Sequence, residues 1–347
     1  MANQIMIEKA GNPEVLVDQQ SAPVQMESGM VRIDVTAAGV NFADVVGRLG
    51  NYPDAPPIPY CPGYEVAGVV TEVGEGVTHL QVGDRVCALT TFGGYTDEIV
   101  TRADGAFRLP TEMDLELSAA VPVTYLTAHT CLFDAGGLVP GKTVLLLGGA
   151  GGVGSAAIQL ARQVENVTIL ATAGSKEKCE WMVNEGVHHA INYTNEDIAE
   201  RVKEITNGRG VDLVLDPIGG RNLKQSVEMC GQLGRVVLFG TSSMSPSKDR
   251  KLGTVIREAL PLRFFNLIDL FSRNVGIHTI NMLVLSQSEP ERTQIVMKQI
   301  LAQIEAGKLN PVIAERFTLD AKGAREAHHY LQDRKNIGKV LLIKKHK

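Results

Sequence analysis

The chain has 347 residues and little cysteine. Cys61, Cys87, Cys131, Cys179 and Cys230 lie far apart with no CxxC pair, which reads as reduced thiols and excludes a disulfide framework. A basic surplus is also missing: the net charge of −5 argues against a nucleic-acid-binding face. No apolar run approaches the ~20 residues needed to span a bilayer. The opening MANQIMIEKAG lacks the charged and apolar regions of a signal peptide, so the expected location is cytoplasmic. No internal repeat or low-complexity stretch is present. What remains is an ordinary globular composition, 44% hydrophobic and 21% charged, in a chain long enough for one or two domains.

The two parts of the chain follow different patterns. In the first part Val31, Ile33 and Val35 alternate with Arg32, Asp34 and Thr36, as in a half-buried strand. EVAGVVTEVGEGV and VGDRVCAL read as further strands joined by glycine-bearing turns, and YPDAPPIPYCPG forces an extended connection. After Pro122, apolar strands (TVLLLGG, VTILATA, VDLVLDP, GRVVLFG, NVGIHTIN) alternate with helical segments such as SAAIQLARQV. That alternation predicts an α/β fold with a parallel sheet covered on both faces.

Between TVLLL and SAAIQLARQV lies GGAGGVG, containing Gly149-x-Gly151-x-x-Gly154. The strand before it and the helix after it supply the context that makes this motif meaningful. The first glycine makes the tight turn, the second admits a pyrophosphate, and the third lets helix and strand pack closely. Gly152 and Val153 open the helix, whose free N–H groups and positive dipole end suit phosphate. The loop is read as a dinucleotide cradle. The next strand ends ATAGSKEK without the acid that NAD binders place against the ribose 2′-hydroxyl. Ser175 and Lys178 suit a 2′-phosphate instead, and Tyr193 at the end of the following strand adds a phenol. NADPH is therefore the expected cofactor; a plain solvated helix start is the alternative.

Read in order, AGVNFAD (38–44), PGYEVAGVVTEVG (62–74), GDRV (83–86), GGYTDEIV (93–100), the glycine loop and NIGKV (336–340) run the length of the chain. They resemble the zinc-independent medium-chain dehydrogenase/reductases of the quinone oxidoreductase family. PVTYLTAHTCLFDAGGLVPG and LARQVENVTILATA are similar to its vesicle amine transport protein-like branch. The resemblance implies a GroES-like β-barrel catalytic domain over 1–122, completed by 309–347, and a Rossmann domain over 123–308, with the active site between them. Zinc relatives carry ligands where this chain has Asn41, Tyr64 and Val123, none of them a good zinc donor. The eight histidines read as surface residues, because the pairs at 188/189 and 328/329 are adjacent and their side chains diverge. No metal is expected.

The resemblance further implies that Asn41 and Asp44 line the cofactor cleft, that Tyr52 and Thr127 stand near the nicotinamide, and that Phe239, Gly240, Thr241 and Asn336 reach the cofactor. Asn41, Tyr52 and Thr127 are the catalytic candidates. The expected activity is transfer of hydride from NADPH to a quinone or similar electron-poor conjugated carbonyl. The alternatives are an enoyl-thioester or enone reductase, or an NADPH-binding vesicle-associated protein with little turnover. NVGIHTIN (274–281), an apolar last strand, predicts a homodimer. Residues 241–273 contain Phe264, Phe265, Ile268 and Phe271 on one helical face, opposite Arg263, Asn266, Asp269 and Arg273. This segment reads either as an apolar lid over the nicotinamide or as a helix packed on the core. A membrane-surface helix is a third reading, since Lys248, Arg250, Lys251 and Arg257 lie upstream.

Overall fold

A computed structural model of the chain describes residues 2–242 and 267–345. The chain divides into two compact units, one formed by Met1–Leu126 with Leu283–Lys347 and the other by Thr127–Met282.

In the first unit β1 (Asn3–Ile7) and β2 (Leu16–Gln20) form an antiparallel pair. A larger sheet orders β14 (Ile313–Thr318), β15 (Lys339–Ile343), β3 (Met30–Val40), β4 (Glu65–Val73), β5 (Arg85–Leu89) and β7 (Ala106–Arg108), with β6 (Glu98–Arg102) also paired to β3. Val31, Ile33 and Val35 of β3 are buried, as their alternation requires, and Ala37–Val40 are buried on both faces. Ile5, Ile7, Leu16, Val66, Val86 and Leu342 complete one core. Strand β15 lies antiparallel to β3 with Val340 opposite Val40, so the C-terminal segment is built into the N-terminal fold. The helix Pro290–Glu305, expected with the nucleotide-binding half, groups with this unit. Gln294 Nε2 donates to the carbonyls of Asp104 at 2.7 Å and Ala106 at 3.3 Å.

The second unit is a parallel sheet of β8 (Thr143–Leu146), β9 (Thr168–Ala173), β10 (His189–Asn192), β11 (Val211–Asp216), β12 (Cys230–Leu238) and β13 (Gly276–Thr279). Its order, β10-β9-β8-β11-β12-β13, is the doubly wound arrangement in which the chain reverses direction across the sheet beside β8. Val144, Leu145, Leu146, Leu213 and Val214 are buried, which explains why these strands read as continuous apolar runs. Strand β13 ends the sheet. Beside it, in the helix Leu267–Arg273, Leu270 packs against the sheet core while Ile268 and Phe271 are exposed, Phe271 at 83%. Within this helix Leu270, and not Ile268 or Phe271, makes the inward contact. Phe264 and Phe265 lie outside the described residues.

Candidate active site

The register of the larger sheet assembles a buried polar centre. Because Val340 pairs with Val40, Lys339 arrives beside Asn41; because Val66 pairs with Ala38, Glu65 lies across from Gly39. Lys339 Nζ forms an ion pair with Glu65 Oε1 and donates to Asn41 Oδ1. Asn41 Nδ2 donates to Glu65 Oε1 at 2.9 Å, and Val123 N, in the first turn of the helix Pro122–His129, donates to Glu65 Oε2 at 2.8 Å. A carboxylate at a helix N-terminus is electrostatically favoured there. Glu65 is 0% exposed and Lys339 4%, so each charge is viable only because the other is present. Gly39 permits this packing, since a Cβ at that position would lie 2.5 Å from Glu65 Oε1 and 2.7 Å from the Ala119 carbonyl.

Asn41 is also the N-cap of α1 (Phe42–Arg48), and its own backbone N–H donates to Asp44 Oδ2 at 2.7 Å. The other Asp44 oxygen accepts Gly63 N at 2.9 Å. Asp44 is 1% exposed, and its carboxylate ties the Asn41 turn to the segment bearing Tyr64 and Glu65. Burial pushes its carboxyl up to about 7, against the pull of the two amides, Lys339 and Tyr95.

Behind Asp44 stands a chain of buried donors. Arg48 Nη1 meets His328 Nδ1 at 3.3 Å, His328 Nε2 meets Tyr95 Oη at 3.1 Å, and Arg48 Nη2 donates to Gln332 Oε1 at 2.9 Å. A guanidinium can only donate, so His328 Nδ1 accepts and the assigned tautomer carries its proton on Nε2. Tyr95 then accepts from His328 and is left to donate toward Asp44. Burial holds the His328 imidazole well below its usual range, in keeping with this neutral form. The reading of the histidines as surface groups is corrected here. On the helix Ala321–Gln332 adjacent side chains diverge, so His328 turns inward while His329 reaches Glu14 Oε1 at 3.0 Å.

Tyr52, Tyr60, Tyr64 and Phe92 cluster next to this centre. Ring centroids are 5.8 Å apart for Tyr52 and Tyr64, 5.1 Å for Tyr64 and Phe92, and 5.5 Å for Tyr60 and Phe92. Tyr64, the residue of unassigned role at PGYE, is buried in this cluster, and burial raises its phenol far above the usual range. Asn336 Nδ2 closes a turn onto the Gly338 carbonyl at 2.9 Å. Thr127 is buried in the helix Pro122–His129.

In the second unit the glycine loop has the geometry its motif requires. Gly151 is the N-cap of the helix Gly152–Ala161, which Val153 and Gly154 continue. A Cβ on Gly149 would lie 2.7 Å from Ala171 Cβ and Met182 Sδ, and one on Gly154 would lie 2.5 Å from the Gly148 carbonyl. At Gly151 the only near atom among the described residues is the Gly148 oxygen at 3.3 Å, leaving that backbone open to an approaching group. On the β9 side of the switch in direction, β9 and β10 end level, with Asn192 opposite Ala173. The structure thus brings Tyr193 against Gly174, immediately before Ser175 and the helix that carries Lys178. A Cβ on Gly174 would meet Tyr193 Oη at 2.5 Å, and Ser175 Oγ caps its helix by accepting Lys178 N at 3.3 Å. At the ends of β11 and β12, Phe239 N donates to the Asp216 carbonyl at 3.1 Å, and Gly240 and Thr241 follow in the half-buried turn.

Residues 27–111 match the alcohol dehydrogenase GroES-like domain family, and residues 152–275 the zinc-binding dehydrogenase family. The rat synaptic vesicle membrane protein VAT-1 homolog is 37% identical over 94% of this chain and 80% of its own length. The chain belongs to the medium-chain dehydrogenase/reductase family. The bovine quinone oxidoreductase-like protein 2 is 30% identical over 94% of this chain and 88% of its own. Among solved structures, Escherichia coli quinone oxidoreductase complexed with NADPH superposes with a TM-score of 0.87 at 29% identity, covering 98% of this chain and 99% of that one. The CurK enoyl reductase superposes with a TM-score of 0.83 at 28% identity, covering 99% of each.

The zinc in one family description does not fit the donors present. Asn41 is committed to Lys339 and Glu65, Tyr64 is a buried phenol among aromatic rings, and Val123 contributes only its backbone N–H. No group of three histidine, cysteine or acidic side chains among the described residues could hold a metal ion. Among the same residues no helix is long and apolar enough to cross a membrane.

Proposed function

We propose that this chain is an NADPH-dependent oxidoreductase that passes hydride to quinones or similar electron-poor conjugated carbonyls without zinc. The observation that carries the reading is the occupancy of the three expected ligand positions by Asn41, Tyr64 and Val123: Asn41 and Val123 bond to Glu65 of the Lys339–Glu65 ion pair, and Tyr64 packs among aromatic rings. A bound metal would supply the Lewis acid that polarises a simple ketone, and these residues cannot hold one. That favours an acceptor that takes hydride readily of itself.

Gly149, Gly151, Gly152, Val153 and Gly154 would hold the pyrophosphate, and Ser175, Lys178 and Tyr193 the 2′-phosphate. Asn41, Thr127, Phe239, Gly240, Thr241 and Asn336 would line the nicotinamide side. When bound, NADPH supplies the hydride from its nicotinamide C4. The chain's own part is orientation, which is worth several kcal/mol when reacting atoms are held close. Asn41 is suited to this: its backbone is held by Asp44 and its carboxamide is oriented by Lys339 and Glu65. Tyr52 and Thr127 are hydroxyl donors for the negative charge that develops on the acceptor oxygen, and water supplies the proton.

Reduction of an enoyl thioester uses the same hydride, and the similarity to the CurK enoyl reductase favours it as a second reading. The test is NADPH oxidation against a panel of quinones, enones and enoyl thioesters. Turnover confined to thioesters would favour the second reading. Tight NADPH binding with no turnover on any acceptor would support a binding role, such as the vesicle association named for the VAT-1 relatives.

A further inference from the structure

Phe92 has a backbone φ of +72°, the left-handed region that a bulky side chain adopts only when its surroundings compel it. Here they do. Thr90 N donates to the Tyr64 carbonyl at 2.8 Å and Thr90 Oγ1 to the Gly63 carbonyl at 2.8 Å. Beyond Phe92, Gly93 N reaches the Cys61 carbonyl at 2.9 Å and Tyr95 N the Pro62 carbonyl at 2.9 Å. Gln287 Nε2 holds Thr91 Oγ1 at 2.9 Å. The segment on each side of Phe92 is thus bonded to the segment that carries Tyr64.

A glycine would satisfy this backbone without strain, so the ring is explained by what it touches. It stands edge-on to Tyr60 and to Tyr52, at 84° and 79°, and tilted against Tyr64. Tyr60 and Tyr64 are buried, whereas Phe92 and Tyr52 are half-buried. The cluster therefore has a closed base and two rings with faces or edges still open. Aromatic rings present electron-rich faces and electron-poor edges, and a quinone ring is flat, apolar and electron-poor. An acyclic enone or a thioester arm has no ring face to offer.

We propose that Phe92 is a specificity-determining residue: with Tyr52 and Tyr64 it forms an aromatic wall that selects planar ring acceptors over acyclic ones. This rests on the assignment of the reductase site to the Asn41–Tyr52 region.

Two variants test it. Phe92→Leu keeps the bulk and removes the ring; Phe92→Gly removes the ring and the strain together. KM is measured with NADPH for 1,4-naphthoquinone and for an acyclic enone. Equilibrium binding of 1,4-naphthoquinone is measured with NADP+, which has no hydride to give. The expected result in both variants is a naphthoquinone affinity weakened roughly 3- to 10-fold and a KM raised by a similar factor. The KM values for the acyclic enone and NADPH should change by less than about twofold, within the range of a removed packing contact. Equal losses for ring and acyclic acceptors, or no change in either, would overturn the wall. If wild type binds naphthoquinone without reducing it and Phe92→Leu weakens that binding, the wall stands and the reductase reading falls. Failure of wild type to bind it at all would overturn both.

Discussion

Replacing Asp44 by asparagine keeps the shape of a buried side chain and removes its titration. Burial pushes the Asp44 carboxyl up to about 7 in the folded chain, against about 3.9 for an unfolded aspartate. Between those values the folded chain holds a proton that the unfolded chain has released. The resulting stability is complete below the unfolded pKa and is lost as pH rises through about 7. Integrated from about pH 5 to about pH 8, the loss comes to about 3 kcal/mol. The groups that face Asp44 are Lys339 and Tyr95, with Arg48 and His328 behind Tyr95, and all are retained in the variant. Chemical denaturation of wild type and Asp44→Asn across this range gives two stability curves, in whose difference the other titrating groups cancel. The wild-type advantage should shrink by about 3 kcal/mol on going from about pH 5 to about pH 8. A difference that does not change with pH would refute the reasoning. It would mean that the Asn41 and Gly63 amides and Lys339 keep Asp44 ionised throughout.

Lys178→Ala should weaken NADPH binding by about 1–3 kcal/mol, the range for a charge-assisted hydrogen bond, and leave NADH binding nearly unchanged; calorimetry with both coenzymes checks this, and equal losses would remove the 2′-phosphate assignment. Lys339→Met alone should destabilise the fold by about 3–5 kcal/mol because it leaves Glu65 buried and unpaired. The double variant Glu65→Gln/Lys339→Met should recover much of that loss in the same denaturation assay. Joining two β13 edges about a two-fold axis would give one continuous sheet, so sedimentation at micromolar concentration should find a dimer, which Ile277→Pro should weaken. A wild-type monomer would end that proposal.

The features legible in the sequence were those set by local pattern. The alternation of Val31, Ile33 and Val35, the apolar runs of the parallel sheet and the spacing of Gly149, Gly151 and Gly154 each carry their own geometry. The approach of Tyr193 to Gly174 could be foreseen because parallel neighbours end level. Lys339 was missed as a site residue although NIGKV was in view. Its meeting with Glu65 depends on β15 pairing with β3 across almost the whole chain, and no local signal encodes that. His328 was misplaced for a related reason. A polar residue reads as exposed until its partners are known, and the partners of His328 lie at Tyr95 and Arg48. The strain at Phe92 likewise has no sequence signature, since the glycines beside it suggest only a turn.

The most direct test of the central claim is a single-turnover reaction between the NADPH-loaded chain and a simple quinone in chelator-treated buffer, run in parallel with NADPH deuterated at C4. Hydride transfer without zinc predicts quinone loss matched mole for mole by NADPH oxidation, a rate slowed by the deuterium, and no change on removing metal. Quinone reduction that vanishes with chelator and returns with zinc, or NADPH that stays reduced in the presence of excess quinone, would contradict it.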